Sequence, residues 1–203
     1  MTQTRLPRVF IIEGIPGSSK NTLSRALLDV FHQDTNPVYY YPEEAVGFAY
    51  NHMYWPGITK IRLDLLEGAL DFVEQELLSL PHAVFVFNRF HLSLSATLDD
   101  SPHDPQVAAR YEQIIDRLRR LNVLVLLLEL EKWKLASVLH PERVGRELVW
   151  KLFLNRRVEE SPYTTPQELY AAQQEQLNLF VREQGLPYRA GTLAELLGFV
   201  ASL

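Results

Sequence analysis

The hydrophobic and polar positions of the chain form two kinds of segment that alternate along it. Short apolar or β-prone runs predict β-strands at residues 8–15, 38–41, 83–87 and 123–130, and residues 188–190 are expected to form a final short strand before the last helix. Longer segments with apolar residues at helical spacing predict α-helices at residues 20–35, 60–80, 106–121, 167–183 and 193–200. Strands that alternate with long helices are typical of βαβ units. We therefore expect an α/β fold whose parallel sheet binds ligands at the C-terminal ends of its strands.

The apolar spacing also predicts which face of each helix meets the core. In the helix at residues 60–80, the expected core stripe is Ile61, Leu65, Ala69, Val73 and Leu77. The carboxylates expected on its opposite face are Glu67, Asp71 and Glu74. In the helix at residues 106–121, the expected core stripe is Val107, Tyr111, Ile114, Ile115 and Leu118.

Two regions have no clear period. Residues 46–57 predict a loop or short helices. Their aromatic residues suit either stacking on a flat ligand or packing in the core, and they are Phe48, Tyr50, Tyr54 and Trp55. Residues 133–157 predict helix in pieces, interrupted at His140 and Pro141, with an unusual concentration of cationic side chains.

Composition and charge narrow the function by exclusion. The chain has 203 residues, of which 47% are hydrophobic, so it is long enough for one domain with its own core. The absence of cysteine excludes disulfides, thiolate metal sites and cysteine nucleophiles. A formal net charge of -5 argues against nucleic acid as a partner. No apolar run is long enough for a signal segment or a membrane span, so we expect a cytoplasmic protein with no membrane partner.

The segment from Gly14 to Thr22 joins the first predicted strand to the first predicted helix. It is close to the P-loop pattern G-x-x-x-x-G-K-[ST], in which backbone amides and a helix N-terminus bind phosphates. Gly14 and Lys20 fit the pattern, whereas Ser19 replaces the second glycine and Asn21 replaces the magnesium-binding hydroxyl. The predicted nucleotide ligands in this segment are Gly14, Ile15, Pro16, Gly17, Ser18, Ser19, Lys20, Asn21 and Thr22.

Each departure from the pattern has a physical consequence. Ser19 adds a side chain where glycine lets the backbone wrap closely, which strains the loop or is tolerated. Asn21 offers a carbonyl oxygen to Mg²⁺ and is the predicted metal ligand, because the hydroxyl of Thr22 points roughly 100° away around the helix. The alternative interpretation is an ordinary Gly/Ser turn in which Lys20 is a solvated residue of the first helical turn.

Further polar residues follow the second and third predicted strands. Arg89 is predicted to hold the phosphate or hydroxyl region of an acceptor, or alternatively to form a structural ion pair with Glu13 or Glu43. Glu43 or Glu44 is predicted to orient an acceptor hydroxyl, and Glu13 to accept backbone amides or a magnesium-bound water. The histidines have no metal-ligand spacing and are interpreted as structural or surface residues: His91, His103 and His140.

Three motifs occur in the order seen in one enzyme family. Phe10-Ile-Ile-Glu-Gly14 with its loop, Tyr41-Pro42-Glu43, and Asn88-Arg-Phe-His-Leu-Ser93 resemble the motifs of thymidylate kinases and related deoxynucleoside kinases. Asn88 stands where that family has aspartate. The arginine that the family uses for the acceptor phosphate, on the helix before the third strand, has no clear counterpart around residues 67–71.

The resemblance carries expectations for the whole chain. It implies a three-layer P-loop fold with a five-stranded parallel sheet, ATP and Mg²⁺ as cofactors, and a homodimer. We predict a single domain over residues 1–203, with residues 131–162 as the lid of P-loop kinases. Arg143, Arg156 and Arg157 would then reach the nucleotide when the lid closes. The alternative is a solvated helix face, which the pairs Glu142–Arg146 and Glu147–Lys151 also favour.

Taken together, these patterns predict ATP-dependent phosphoryl transfer to a nucleoside or nucleoside monophosphate. The predicted catalytic residues are Lys20, Arg89 and Glu43. Two alternatives stay open: a catalytically impaired nucleotide-binding protein of the same fold, and a kinase for a small molecule that is not a nucleotide. Ser19, Asn21 and Asn88 favour the first alternative, because they remove groups that position magnesium.

Overall fold

The computed structural model describes residues 6–32, 36–46, 58–95, 104–131, 133–135 and 148–203. Five strands form one sheet: β1 (Val9–Gly14), β2 (Val38–Tyr41), β3 (Val84–Asn88), β4 (Val123–Leu128) and β5 (Tyr188–Gly191). All neighbouring strands run parallel, in the order β2-β3-β1-β4-β5. The predicted five-stranded parallel sheet is confirmed, and β3 lies beside β1.

The helices cover both faces of the sheet. They are α1 (Lys20–Phe31), α2 (Ile58–Ser79), α3 (His91–Ser95), α4 (Pro105–Arg120), α5 (Leu148–Glu159), α6 (Pro166–Glu183) and α7 (Leu193–Val200), with a 3-10 turn at Glu43–Val46. One core contains residues of α2 to α6, and the other contains residues of α1 and α7. The fold therefore has the three layers that the sequence predicts.

The central strand shows why its residues alternate between the two cores. Every residue of β1 is buried, because β1 has a neighbour on each side and helices above and below. Val9 and Ile11 pack in the core with α2, whereas Phe10 and Ile12 pack in the core with α1. This alternation places Glu13 and Gly14 at the C-terminal end of the sheet.

Side chains and glycine define several helix ends. Asp104 accepts a hydrogen bond from the amide of Gln106 at the start of α4, and Thr165 accepts one from Glu168 at the start of α6. Thr192 and Glu195 form a reciprocal capping box at the start of α7. Gly185, with φ 65°, follows the end of α6 in the left-handed conformation that glycine adopts readily.

The predicted core stripe of α2 is wrong in part. Ile61 and Leu65 are 46% and 39% exposed, and the buried apolar residues are Leu63, Leu66, Ala69, Leu70 and Val73. The predicted stripe repeats every four residues, and each such step turns about 40° around the helix axis. Residues spaced strictly four apart therefore rotate away from the core along the helix. Residues spaced alternately three and four apart stay on the face that packs against the core.

Parts of the sequence interpretation lie outside the described residues. These are the aromatic residues Phe48, Tyr50, Tyr54 and Trp55 and the lid residues 132 and 136–147, which include Arg143 and Arg146. Residues 148–162 of the predicted lid are described and include α5. Within the described ranges, no helix combines the length and the apolar character needed to cross a membrane.

Candidate functional site

The loop between β1 and α1 depends on two glycines with positive φ. Gly14 has φ 149°, and a Cβ there would lie 2.6 Å from Ser18 Oγ and 2.8 Å from the carbonyl oxygen of Leu128. Gly17 has φ 83°. Any side chain at Gly14 would therefore collide with the loop or with β4, so the sequence needs glycine where the loop leaves the sheet.

Ser19 occupies the position of the second P-loop glycine and has the left-handed backbone that glycine adopts readily. It has φ 68° and ψ 32°, a left-handed conformation that costs a residue with a Cβ roughly 1–2 kcal/mol. Although Ser19 is the N-cap of α1, its side chain makes no capping hydrogen bond. The sequence therefore accepts local strain at Ser19, and the amides at the start of α1 are not capped by this hydroxyl.

Lys20 lies across the loop. Its side chain is 6% exposed, and its Nζ donates to the carbonyl oxygens of Gly14 and Ile15 at 3.2 Å each. These bonds are at the long end of the normal range for an ammonium donor. A phosphate oxygen would give the ammonium a charged acceptor at closer range, so Lys20 is positioned to exchange these carbonyls for an anion.

Two asparagines join the loop to the end of β3. The Nδ2 of Asn88 donates to the Oδ1 of Asn21 at 2.6 Å and to the hydroxyl of Tyr40 at 3.3 Å. Asn88 is 3% exposed. Two of the three residues that depart from the kinase motifs, Asn21 in the loop and Asn88 at the end of β3, are therefore direct partners in a neutral amide pair.

Glu13 lies below the loop and is fully buried. Its carboxylate accepts from the amides of Phe90 and Ser93 at 2.8 and 3.3 Å, and from the hydroxyl of Ser93 at 2.5 Å. Burial raises the pKa of Glu13, while the Ser93 hydroxyl, the charge of Arg89 and the two amides act in the opposite direction. This carboxylate holds the start of α3, in agreement with the predicted amide contacts.

Arg89 connects Glu13 to the second strand. Its backbone has φ 71°, its NH1 donates to Ser93 Oγ at 3.0 Å, and its Nε lies 3.0 Å from Glu43 Oε1. The guanidinium is buried and Glu43 is 30% exposed. The ion pair with Glu43 is the structural alternative that the sequence leaves open, so Arg89 would have to release Glu43 before it binds an acceptor.

The three predicted catalytic residues, Lys20, Arg89 and Glu43, lie at one edge of the sheet. Asn88 touches Asn21 at the start of α1, and Arg89 follows Asn88 directly. Glu43 reaches the same place from the 3-10 turn after β2. The structure therefore gathers all three predicted catalytic residues at the C-terminal end of the sheet, where parallel α/β folds bind ligands.

Two of the three predicted lid arginines lie on α5. Arg156, on α5, is 63% exposed and pairs with Glu160 at 2.6 Å, an i,i+4 ion pair. Arg157 is half-buried on the same helix. Arg143 lies outside the described residues, so the roles proposed for these arginines stay predictions.

Magnesium is the cofactor that the motif implies, and the donor atoms present do not fit it. The Oδ1 of Asn21, the predicted ligand, already accepts a hydrogen bond from Asn88. Mg²⁺ in such sites uses carboxylates together with phosphate oxygens, and position 88 carries an amide. Across the described ranges, no three His, Cys, Asp or Glu residues come close enough together to hold a metal.

Arg62 is a cation that the sequence interpretation missed. It is 4% exposed on α2. The C-terminal end of α2 leads into the start of β3, so the N-terminal end of α2, which carries Arg62, points towards the edge where β3 ends. The family resemblance directs attention to residues 67–71 instead. In the sequence, Arg62 lies four residues before Leu66, a spacing that places both side chains on the same face of the helix.

His91 has a structural role, as its sequence context predicts. Its ring is fully buried, and Nε2 lies 2.8 Å from Gln184 Oε1. Gln184 Nε2 donates to the hydroxyl of Tyr111 at 2.8 Å, and that hydroxyl donates to the carbonyl of His91 at 3.2 Å. Burial lowers the pKa of His91 to about 4, against the opposing effect of the Gln184 hydrogen bond.

Comparisons with known proteins identify the fold. The YorR protein of Bacillus subtilis, solved in complex with phosphorylated GDP, is 12% identical, with a TM-score of 0.55 over 96% of this chain and 96% of its own. APE1195 is 16% identical, with a TM-score of 0.43 over 86% of this chain and 97% of its own. No family model and no curated protein matches the chain. The likeness to YorR shows a shared α/β fold.

Proposed function

We propose that this protein binds a nucleoside polyphosphate, with its phosphates on the loop from Gly14 to Thr22. The observation that carries the proposal is the backbone at Ser19, which is left-handed at an energetic cost at the position where the P-loop pattern has glycine. Strained backbone of this kind is concentrated at active sites and ligand-binding sites. Lys20 lies over the same loop and supplies a positive charge.

The chemistry of the loop supports an anionic ligand. The first amides of α1 point out of its N-terminus, where the helix dipole favours negative charge. Ser18 Oγ is buried and has no hydrogen-bond partner within the described part of the chain. The phosphorylated GDP bound to YorR is a ligand of the proposed class on the same fold.

A second candidate function is ATP-dependent phosphoryl transfer to a nucleoside or nucleoside monophosphate, as in thymidylate kinases. It is favoured by the position of Arg89 and Glu43, whose ion pair lies beside the loop and spans the ends of β2 and β3. In this reaction Lys20 stabilises charge on the transferred phosphate, Arg89 holds the acceptor, and Glu43 orients the acceptor hydroxyl. The buried Arg62 adds a further cation on the helix that precedes β3.

Calorimetric titration with adenosine, ADP and ATP tests the binding proposal. Because the site is built for phosphate, affinity is expected to increase with each added phosphate, by about tenfold for a well-placed charged contact. Adenosine binding as tightly as ATP would contradict the loop as the site. The second candidate is tested by a coupled assay of ADP release across nucleosides and nucleoside monophosphates. A complete absence of ADP release despite tight ATP binding would leave a binding protein.

A further inference from the structure

The pair Asn21–Asn88 is the feature that the proposed function leaves unexplained. We infer that this site binds the polyphosphate with protein cations alone and contributes no ligand to a magnesium ion. The inference rests on the proposed function and specifies the form of nucleotide that the site takes: the metal-free anion.

The geometry shows that the two substitutions belong together. Position 21 is where the P-loop pattern has a hydroxyl, and position 88 is where the thymidylate kinase motif has a carboxylate. The register that pairs Ile12 with Asn88 places residue 88 at the end of the sheet, and its amide then meets Asn21 at 2.6 Å. One substitution alone would leave an amide facing a hydroxyl or a carboxylate. Together they form a hydrogen-bonded amide pair.

The chemistry of the pair opposes a divalent cation. Two carboxamides carry no net charge whichever way each amide group is turned, so the negative charge that would stabilise Mg²⁺ is missing. The hydrogen bond occupies the Oδ1 of Asn21, whereas Asn88 Oδ1 is buried and accepts no hydrogen bond from the described residues. Either oxygen would offer a magnesium ion only a neutral donor, and use of Asn21 Oδ1 would also break the bond to Asn88.

The carboxylates near the pair have other partners. Glu13 is fully buried and accepts three hydrogen bonds from Phe90 and Ser93. Glu43 is paired with the guanidinium of Arg89. Freeing either one for a metal would leave buried donors or a buried arginine without an acceptor, which costs more than a surface contact returns.

The cations of the site determine which form of the nucleotide is preferred. Lys20 lies over the loop, and Arg89, which is paired with Glu43, lies one residue beyond Asn88. A site that neutralises phosphate only with such cations attracts the free anion more strongly than its magnesium complex, because magnesium has already neutralised part of the charge. Any magnesium that entered with a nucleotide would be held by phosphate oxygens and water.

Calorimetric titration of the full chain with ATP, in EDTA and in excess MgCl₂, tests this inference. We expect ATP to bind at least as tightly in EDTA as in MgCl₂. Binding that becomes about tenfold or more tighter in MgCl₂ would overturn the inference while leaving the proposed function in place. No binding in either buffer would overturn the proposed function, and this inference with it.

The paired substitution Asn21→Thr with Asn88→Asp provides the matched variant. It restores a hydroxyl and a carboxylate at the two positions, so MgCl₂ is expected to tighten ATP binding by about tenfold in the double variant only. An unchanged ratio between the two buffers would count against the pair as the determinant. Because the new carboxylate would be buried, folding is checked by circular dichroism. Asn21→Ser, at an exposed position, gives a smaller shift of the same sign.

Discussion

Two groups of polar residues at the C-terminal edge of the sheet differ in how their hydrogen-bonding groups are used. We call Glu13, His91 and Ser93 the lower layer and residues 14–22 the loop layer. In the lower layer, Glu13 and Ser93 bind one another and the nearby amides, and His91 is closed into a ring of contacts with Gln184. In the loop layer, the amides at the start of α1 lack a side-chain cap from Ser19, and Lys20 donates long bonds to the carbonyls of Gly14 and Ile15.

This difference indicates that the lower layer stabilises the fold, whereas the loop layer is suited to bind a ligand. A buried layer in which most polar groups are hydrogen-bonded to one another is rigid and sensitive to truncation. A layer with donors left over at a helix N-terminus is prepared for an anion. Substitutions in the lower layer are therefore expected to change stability, whereas substitutions in the loop are expected to change binding.

Truncating the lower layer at Glu13 should have the largest effect. Glu13→Ala removes the acceptor of two amides and of the Ser93 hydroxyl, all of them buried, and should lower the free energy of unfolding by about 4 kcal/mol. Urea denaturation measures the loss. Glu44→Ala, at an exposed carboxylate on the same edge, is the control and should change stability by less than about 0.5 kcal/mol. Equal effects of the two variants would refute the assigned role of Glu13.

The ring of contacts around His91 should make stability depend on pH. Its pKa of about 4 lies below the 6.5 of an unperturbed histidine, so the unfolded chain binds more protons between these values. The contribution of His91 to the free energy of unfolding is therefore fully present above pH 6.5 and is lost as the pH falls towards 4. The expected loss from this group is about 3 kcal/mol. His91→Gln should remove that part of the pH dependence in denaturation curves at pH 7 and pH 4. An identical loss in both proteins would contradict the buried, neutral histidine.

Removing the charge of Lys20 should weaken ATP binding and leave stability nearly unchanged, the reverse of the effect expected for Glu13→Ala. Lys20→Ala deletes a charge-assisted contact to phosphate, so ATP affinity should fall by about thirtyfold, or about 2 kcal/mol. The free energy of unfolding should change by less than about 1 kcal/mol, because the bonds that Lys20 makes to carbonyls are long. Lys60→Ala, an exposed lysine on α2, is the matched control for calorimetry. Full ATP affinity in Lys20→Ala would rule out this loop as the phosphate site.

The strain at Ser19 gives the smallest effect. Ser19→Gly relieves the left-handed backbone and should raise the free energy of unfolding by about 1 kcal/mol with ATP affinity retained. Ser19→Ala keeps the Cβ and should give no such gain, so thermal unfolding of the two variants isolates the backbone term. Equal melting temperatures for both variants would show that the conformation carries no strain.

The elements of this fold could be predicted because their signals are local. Strand β2 and helix α7 have the predicted bounds, since apolar runs and periodic stripes depend only on neighbouring residues. The orientation of α2 was less accessible, because two apolar ladders through Val73 compete and only the packed sheet selects between them.

The candidate site could be predicted only as separate motifs. The loop and Arg89 were found from sequence. The bond between Asn21 and Asn88 joins residues 67 positions apart, however, and depends on the register of β3 beside β1. The burial of Arg62 likewise depends on how α2 is rotated: the spacing to Leu66 places both residues on one face, but the packed sheet determines that this face is buried.

The proposed binding of an anionic polyphosphate by amides at the start of α1 can be tested by backbone amide NMR spectra of the protein, recorded with and without ATP. We expect the largest chemical-shift changes at Gly17, Ser19, Lys20 and Asn21, and no comparable change in the ring of contacts around His91. Saturable ATP binding that shifts other amides and leaves these four in place would contradict it.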